Sequence, residues 1–137
     1  MMWRTILLLG VALTFAGCKE LDESELSGVK GFIMRNNLMC TIKQSTDTSE
    51  IMQKISFIGV RTDKPKVLIS GQKGLSSITA RMRKIFETSD TVTLQLIEAG
   101  TGGVETFVFD KKSGKFARAT AGSLSGVYAS ASLGTCE

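Results

Sequence analysis

Strict alternation of apolar and polar residues constrains this chain more than any other feature. Val92, Leu94 and Leu96 alternate with Thr93 and Gln95. After Gly100-Thr101-Gly102-Gly103, Thr106 and Val108 alternate with Phe107 and Phe109. Successive side chains of a strand point to opposite faces, so a period of two marks a half-buried strand. Glycine tolerates the positive φ that a tight reversal needs, and the unit reads as an antiparallel hairpin. Asp110-Lys111-Lys112-Ser113-Gly114 makes a second reversal into 116–120. The chain then finishes with Val127, Ala129, Ala131 and Leu133 alternating with Tyr128, Ser130 and Ser132.

The first half follows the same rule. Leu38, Cys40 and Ile42 share one face, and 55–61 is apolar and partly β-branched. Thr62-Asp63-Lys64-Pro65 turns the chain, because proline fixes φ and Asp bonds to local backbone, and 66–70 continues as a short strand. One segment fits two periods. Leu75, Ile78, Met82, Ile85 and Phe86 have the spacing of a helical stripe, yet Ile78, Ala80, Met82 and Phe86 also fit alternation. The expected fold is therefore mainly β: a single small antiparallel domain, either a curved sheet or a barrel of about eight strands. One helix near 75–87 packs on it if the helical spacing prevails. Ala117, Ala119, Ala129 and Ala131 would let such a sheet curl tightly or let another element sit against it.

The chain contains no histidine. That removes Ser-His-Asp and Cys-His nucleophile systems and most zinc enzymes. Glu87, Asp90, Glu98, Glu105 and Asp110 fall beside turns and strand ends, as solvated loop acids do. Gly100 to Gly103 lacks the spacing of a phosphate-binding loop, and the methionines Met34, Met39, Met52 and Met82 lie in apolar runs. No catalytic residues, cofactor or metal are expected. The basic residues form two clusters, Arg81, Arg83 and Lys84, then Lys111, Lys112, Lys115 and Arg118. Brought to one side of the domain, they would make a surface for phosphate or carboxylate groups.

The N-terminus supplies an address. Arg4 precedes an apolar run, 6–15, that ends in Phe15-Ala16-Gly17-Cys18. A short cationic start, a brief hydrophobic stretch and small residues make a secretory signal. The run is shorter than the roughly 20 residues a membrane-spanning helix needs. With its cysteine directly after the small pair, the segment resembles a bacterial lipoprotein precursor. Phe15 stands where that family more often has Leu, and the resemblance covers the signal alone. It implies cleavage before Cys18, acylation of the Cys18 thiol and a permanent tether. Lys19 in place of Asp implies sorting to the outer membrane of a Gram-negative bacterium. The expected organisation is a signal peptide at 1–17, a lipidated polar tether at 18–30 and a β-rich domain at 31–137.

If Cys18 carries lipid, Cys40 and Cys136 remain, and an exported compartment is oxidising. A structural disulfide between them would tie the first strand to the last. The expected role is non-enzymatic binding in the cell envelope. Its partner would be another envelope protein or an anionic glycolipid or peptidoglycan, and not nucleic acid. A second possibility is a small hydrophobic-ligand carrier, its barrel cavity lined by Leu94, Leu96, Phe107 and Phe109. The layout is also similar to small β-barrel lipoproteins that inhibit lysozyme, whose signature includes Ser-Gly-x-x-Tyr and a downstream Lys-Gly. Ser125-Gly126-Val127-Tyr128 is one residue short of that element and no Lys-Gly follows, so no inhibitory residue carries over.

Overall fold

The computed structural model describes residues 20–69, 78–98, 102–123 and 126–137. The signal and Cys18 lie outside the described residues. Among the described residues nine strands form: β1 (Leu38–Ser45), β2 (Lys54–Ile58), β3 (Lys66–Ile69), β4 (Ile78–Arg81), β5 (Arg83–Glu87), β6 (Thr91–Ile97), β7 (Val104–Asp110), β8 (Lys115–Gly122) and β9 (Tyr128–Cys136). They make one antiparallel sheet in the order β4-β3-β2-β1-β9-β8-β7-β6-β5. β4 and β5 lie at opposite ends of that order, yet only Met82 separates them in the chain. The Met82 N–H donates to the carbonyl of Pro65 at 2.8 Å. One chain run thus serves both ends of the sheet, which curls into a nearly closed barrel of eight runs.

That run corrects the helical reading of 75–87 over 78–87; 75–77 lie outside the described residues. Over 78–87 the chain is strand: Met82 is buried at 4% exposure between the outward-facing Arg81 and Arg83. Ile85 and Phe86, which completed the helical stripe, are 51% and 55% exposed. Register shifts between Lys84 and Phe86, a bulge that breaks strict alternation and leaves both apolar residues outside. Pairing to β3 on one side and β6 on the other outweighs the local helical spacing.

The first and last strands, β1 and β9, pair in the middle of the sheet. Cys40 stands directly opposite Cys136, and their sulfurs are joined in a disulfide. The neighbouring pair Met39 and Glu137 exchanges both backbone hydrogen bonds, at 3.1 and 2.9 Å. The cysteines therefore occupy a non-hydrogen-bonded position, where opposed side chains come closest. Inside, the Phe57 ring of β2 meets Phe107 and Phe109 of β7 edge to face, each at 4.9 Å between centroids. β2 and β7 are four strands apart in either direction, so these rings meet across the barrel axis. Phe107, Phe109, Leu94 and Leu96, the candidate cavity lining, are 0–5% exposed and belong to one packed core.

The upper half of the interior differs. A bulge between Ile42 and Gln44 shifts the phase of β1, so Ser45 points inward. Arg118, Thr120 and Ser132 point inward beside it from β8 and β9, while the alanines of those strands face out. Registers align Gln95, Thr106, Ala119 and Ala131 in one outer row, and Ile97, Val104, Ala121 and Ala129 in the row above.

The polar stretch before β1 is not free of the barrel. Val29 N–H donates to the Ser113 carbonyl at 2.8 Å, and Leu26, 6% exposed, sits beside Val108, Ala117 and Leu133 of the outer wall. The small side chain of Ala117 leaves room for it. Residues 23–25 form one 3-10 turn capped by the Asp22 side chain. Asp22 and Gln44 are held by two hydrogen bonds, Asp22 N–H to Gln44 Oε1 and Gln44 Nε2 to Asp22 O, both 3.1 Å. The segment is a strap along the wall from Asp22 onward.

Candidate functional site

Arg118 was expected on a basic surface. Instead β8 points it into the barrel, where it is 7% exposed. Its Nε and Nη2 donate to the two carboxylate oxygens of Glu105 at 3.2 and 3.1 Å, a bidentate pair. Nη1 donates to Glu50 Oε1 at 3.4 Å and Gln53 Oε1 at 3.3 Å. Ser45 donates to Glu50 Oε2 at 2.7 Å and Ser130 to Glu50 Oε1 at 3.2 Å. Alternation had to place something inside at 118, and burying a guanidinium demands carboxylate partners. Glu105 comes from the paired strand β7; Glu50 comes from the 3-10 turn at Thr48–Glu50 between β1 and β2. Beside this network the hydroxyls of Thr120 and Ser132 are buried with no partner among the described residues. The arrangement ties four strands and a turn together.

The remaining predicted cations separate into two kinds. Lys84 and Lys111 both grip Glu87, at 2.8 and 2.7 Å. The Lys111 bond and then the Lys84 bond hold the Glu87 carboxyl down at about 2, below its ordinary 4.5. Lys112 pairs with Asp90 at 3.0 Å and Lys115 approaches Glu23 at 3.9 Å. Asp90 is lowered first by its bond to Lys112; Asp110 is lowered chiefly by the backbone N–H of Lys112. These lysines are neutralised where they stand. A cleft of about 390 Å³ opens beside them, with Val60, Arg61 and Val92 in its lining, and its Glu87 and Lys111 are that same ion pair.

Arg81 and Arg83 behave differently. Both are exposed on the outer wall, and neither makes an ion pair with a described residue. Strand pairing sets Lys66 of β3 directly beside Arg81, giving an outward cationic strip of Lys66, Arg81 and Arg83. Ile58, paired with Lys66, is 45% exposed at its edge. Lys66 lies fifteen residues from Arg81 in the chain and only register brings them together; nothing in the spacing pointed to it. Glu50 and Gln53 were missed for the same reason. β4–β5 is four strands from β9 in either direction, so the strip and the strapped wall lie on opposite sides of the barrel.

Among the described residues no group of three or more Asp, Glu, Cys or His could hold a metal ion. No described helix is long and apolar enough to cross a membrane. Compared with known proteins, the chain matches no family model, no curated protein and no solved structure.

Proposed function

We propose that this chain is a non-enzymatic lipoprotein of the bacterial envelope. In this reading lipid on Cys18 anchors it, its address is the outer membrane, and it binds an anionic envelope component through the strip Lys66, Arg81 and Arg83. The strip carries the reading. It consists of three exposed cations without acid partners among the described residues, on the wall opposite the strap. The surface lysines that the sequence grouped with Arg81 and Arg83, Lys84, Lys111, Lys112 and Lys115, are each paired with a carboxylate. The filled interior supports recognition from outside: the rings that would line a carrier's cavity touch across the axis. Phosphate and carboxylate groups of glycolipid or peptidoglycan are the fitting chemistry for exposed Arg and Lys. Such binding weakens with salt, because exposed charges are screened beyond about 8–10 Å at physiological ionic strength.

The test uses the acylated chain extracted from membranes, whose mass reports the lipid on Cys18. Its retention is then measured on purified peptidoglycan and on lipopolysaccharide. Retention that falls with salt and is lost in Arg81→Glu/Arg83→Glu is expected. Equal retention of that variant refutes the strip, and a chain without added lipid refutes the anchor.

A further inference from the structure

The strap changes what an anchor at Cys18 would do. A polar stretch of a dozen residues, left free, would hold a domain well clear of a bilayer. Here the chain is fixed to the wall at Asp22 by paired hydrogen bonds to Gln44, so only 19–21 separate Cys18 from the barrel. Four residue steps span at most about 14 Å fully extended. Gln44 sits beside Leu133 of β9, one row below Ala131. The upper wall of β8 and β9 is thus within reach of a lipid carried on Cys18.

That wall suits close approach to lipid. The two upper rows across β6–β9 contain no charged side chain, in a chain with 30 charged residues, 17 basic and 13 acidic. Ala119, Ala121, Ala129 and Ala131 are all exposed on it. At its top, Val127 is 96% exposed; Tyr128, 47% exposed, alternates with it and lies over Gly122 at the barrel rim beside the wall. A tyrosine with an apolar ring and a polar tip is the type of side chain that settles at a membrane interface. Four strands and two rows make a face on the order of 300 Å². A stable dimer needs about 800 Å² from each partner, so a second copy is poorly served by it. A bilayer contact needs no such area, because the lipid already holds the barrel there and supplies the effective concentration.

We infer that the barrel lies against the bilayer on the uncharged upper wall of β8 and β9, with Val127 and Tyr128 at the interface. This rests on lipid at Cys18 and deepens that reading: it turns the cationic strip of the opposite wall away from the anchoring membrane.

Tyr128 reports the contact directly. It is the chain's single tyrosine, and the single tryptophan, Trp3, precedes Cys18. The acylated chain is reconstituted into phosphatidylethanolamine–phosphatidylglycerol vesicles with either ordinary or brominated acyl chains, and Tyr128 emission is compared. Quenching by the brominated vesicles is expected. Val127→Asp/Ala129→Glu, two exposed positions, should abolish the quenching while the protein still floats with the vesicles. Equal emission in both vesicle types from a protein that floats overturns the docking and leaves the anchor intact. Emission that changes with protein concentration but ignores bromine assigns the wall to a second copy, which also overturns it. A chain that carries no lipid and stays in the aqueous phase overturns the anchor and the docking together.

Discussion

Replacing Arg118 by methionine should destabilise the barrel far more than its length of side chain suggests. The guanidinium and Glu105 are each 7% exposed, and Arg118 donates to two carboxylates and an amide. Removing the cation leaves Glu105 and Glu50 inside with like charges and without their donor. Breaking a buried ion pair in this way costs about 3–5 kcal/mol. Set against a typical total stability of about 5–15 kcal/mol, that is a large fraction. With a urea dependence of about 2 kcal/mol/M, the unfolding midpoint falls by about 2 M. The assay is urea unfolding followed by circular dichroism, with the slope checked for constancy. Arg118→Met/Glu105→Leu supplies the control. An apolar pair of similar volume removes one stranded charge, and Glu50 keeps its bonds from Ser45 and Ser130, so most of the loss should return. A loss under about 1 kcal/mol in the single variant, the range of a solvated surface pair, refutes the buried network. So does a double variant no better than the single.

Two further outcomes follow from other parts of the barrel. Cys40→Ser and Cys136→Ser should each lower stability by a similar amount, at most about 4–5 kcal/mol in the chain-entropy model for a separation of 96 residues. The double variant should be no worse than either single, and additive losses in the urea midpoint would show that the two act separately. Glu87, held at about 2 in the fold against an ordinary 4.5, contributes stability that is present above about pH 4.5 and lost as the pH falls from there towards about 2. The side chain is 40% exposed, so the effect is small after solvent screening. Glu87→Gln should flatten the acid limb of the stability profile in that window alone. An unchanged limb would mean the two lysines do not hold it in solution.

The burial of Arg118 illustrates how far alternation reaches. Period two placed 116, 118 and 120 on one face and the alanines on the other, and the strand β8 follows that division. Which face would be inside was a different question. Hydrophobicity favours turning Ala117, Ala119 and Ala121 inward and Arg118 and Thr120 outward. The barrel does the reverse, because Phe116 must join Phe109 and Phe57 in the core, and a strand cannot turn one residue in without turning its whole set. The charge that comes along is tolerated because the neighbouring strand and a distant turn bring carboxylates to it. The segment 78–87 fails in the opposite direction. Its local spacing satisfied a helix, and the decision came from two strands that needed partners at the ends of the same sheet.

Sequence by itself determined the elements whose evidence is local. Alternation marked the strands, glycine and proline chemistry marked their reversals, and two cysteines marked the pairing of the first strand with the last. The absence of histidine bounded the available chemistry. Tertiary structure alone decided everything set by register between distant residues. It put Lys66 beside Arg81, Glu50 beside Arg118, and Asp22 on Gln44, which made a strap of a stretch that reads as a spacer. The physical reason is that a strand's pattern specifies two faces and leaves their neighbours open. Only the closure of the sheet chooses which side faces in and which side chains meet.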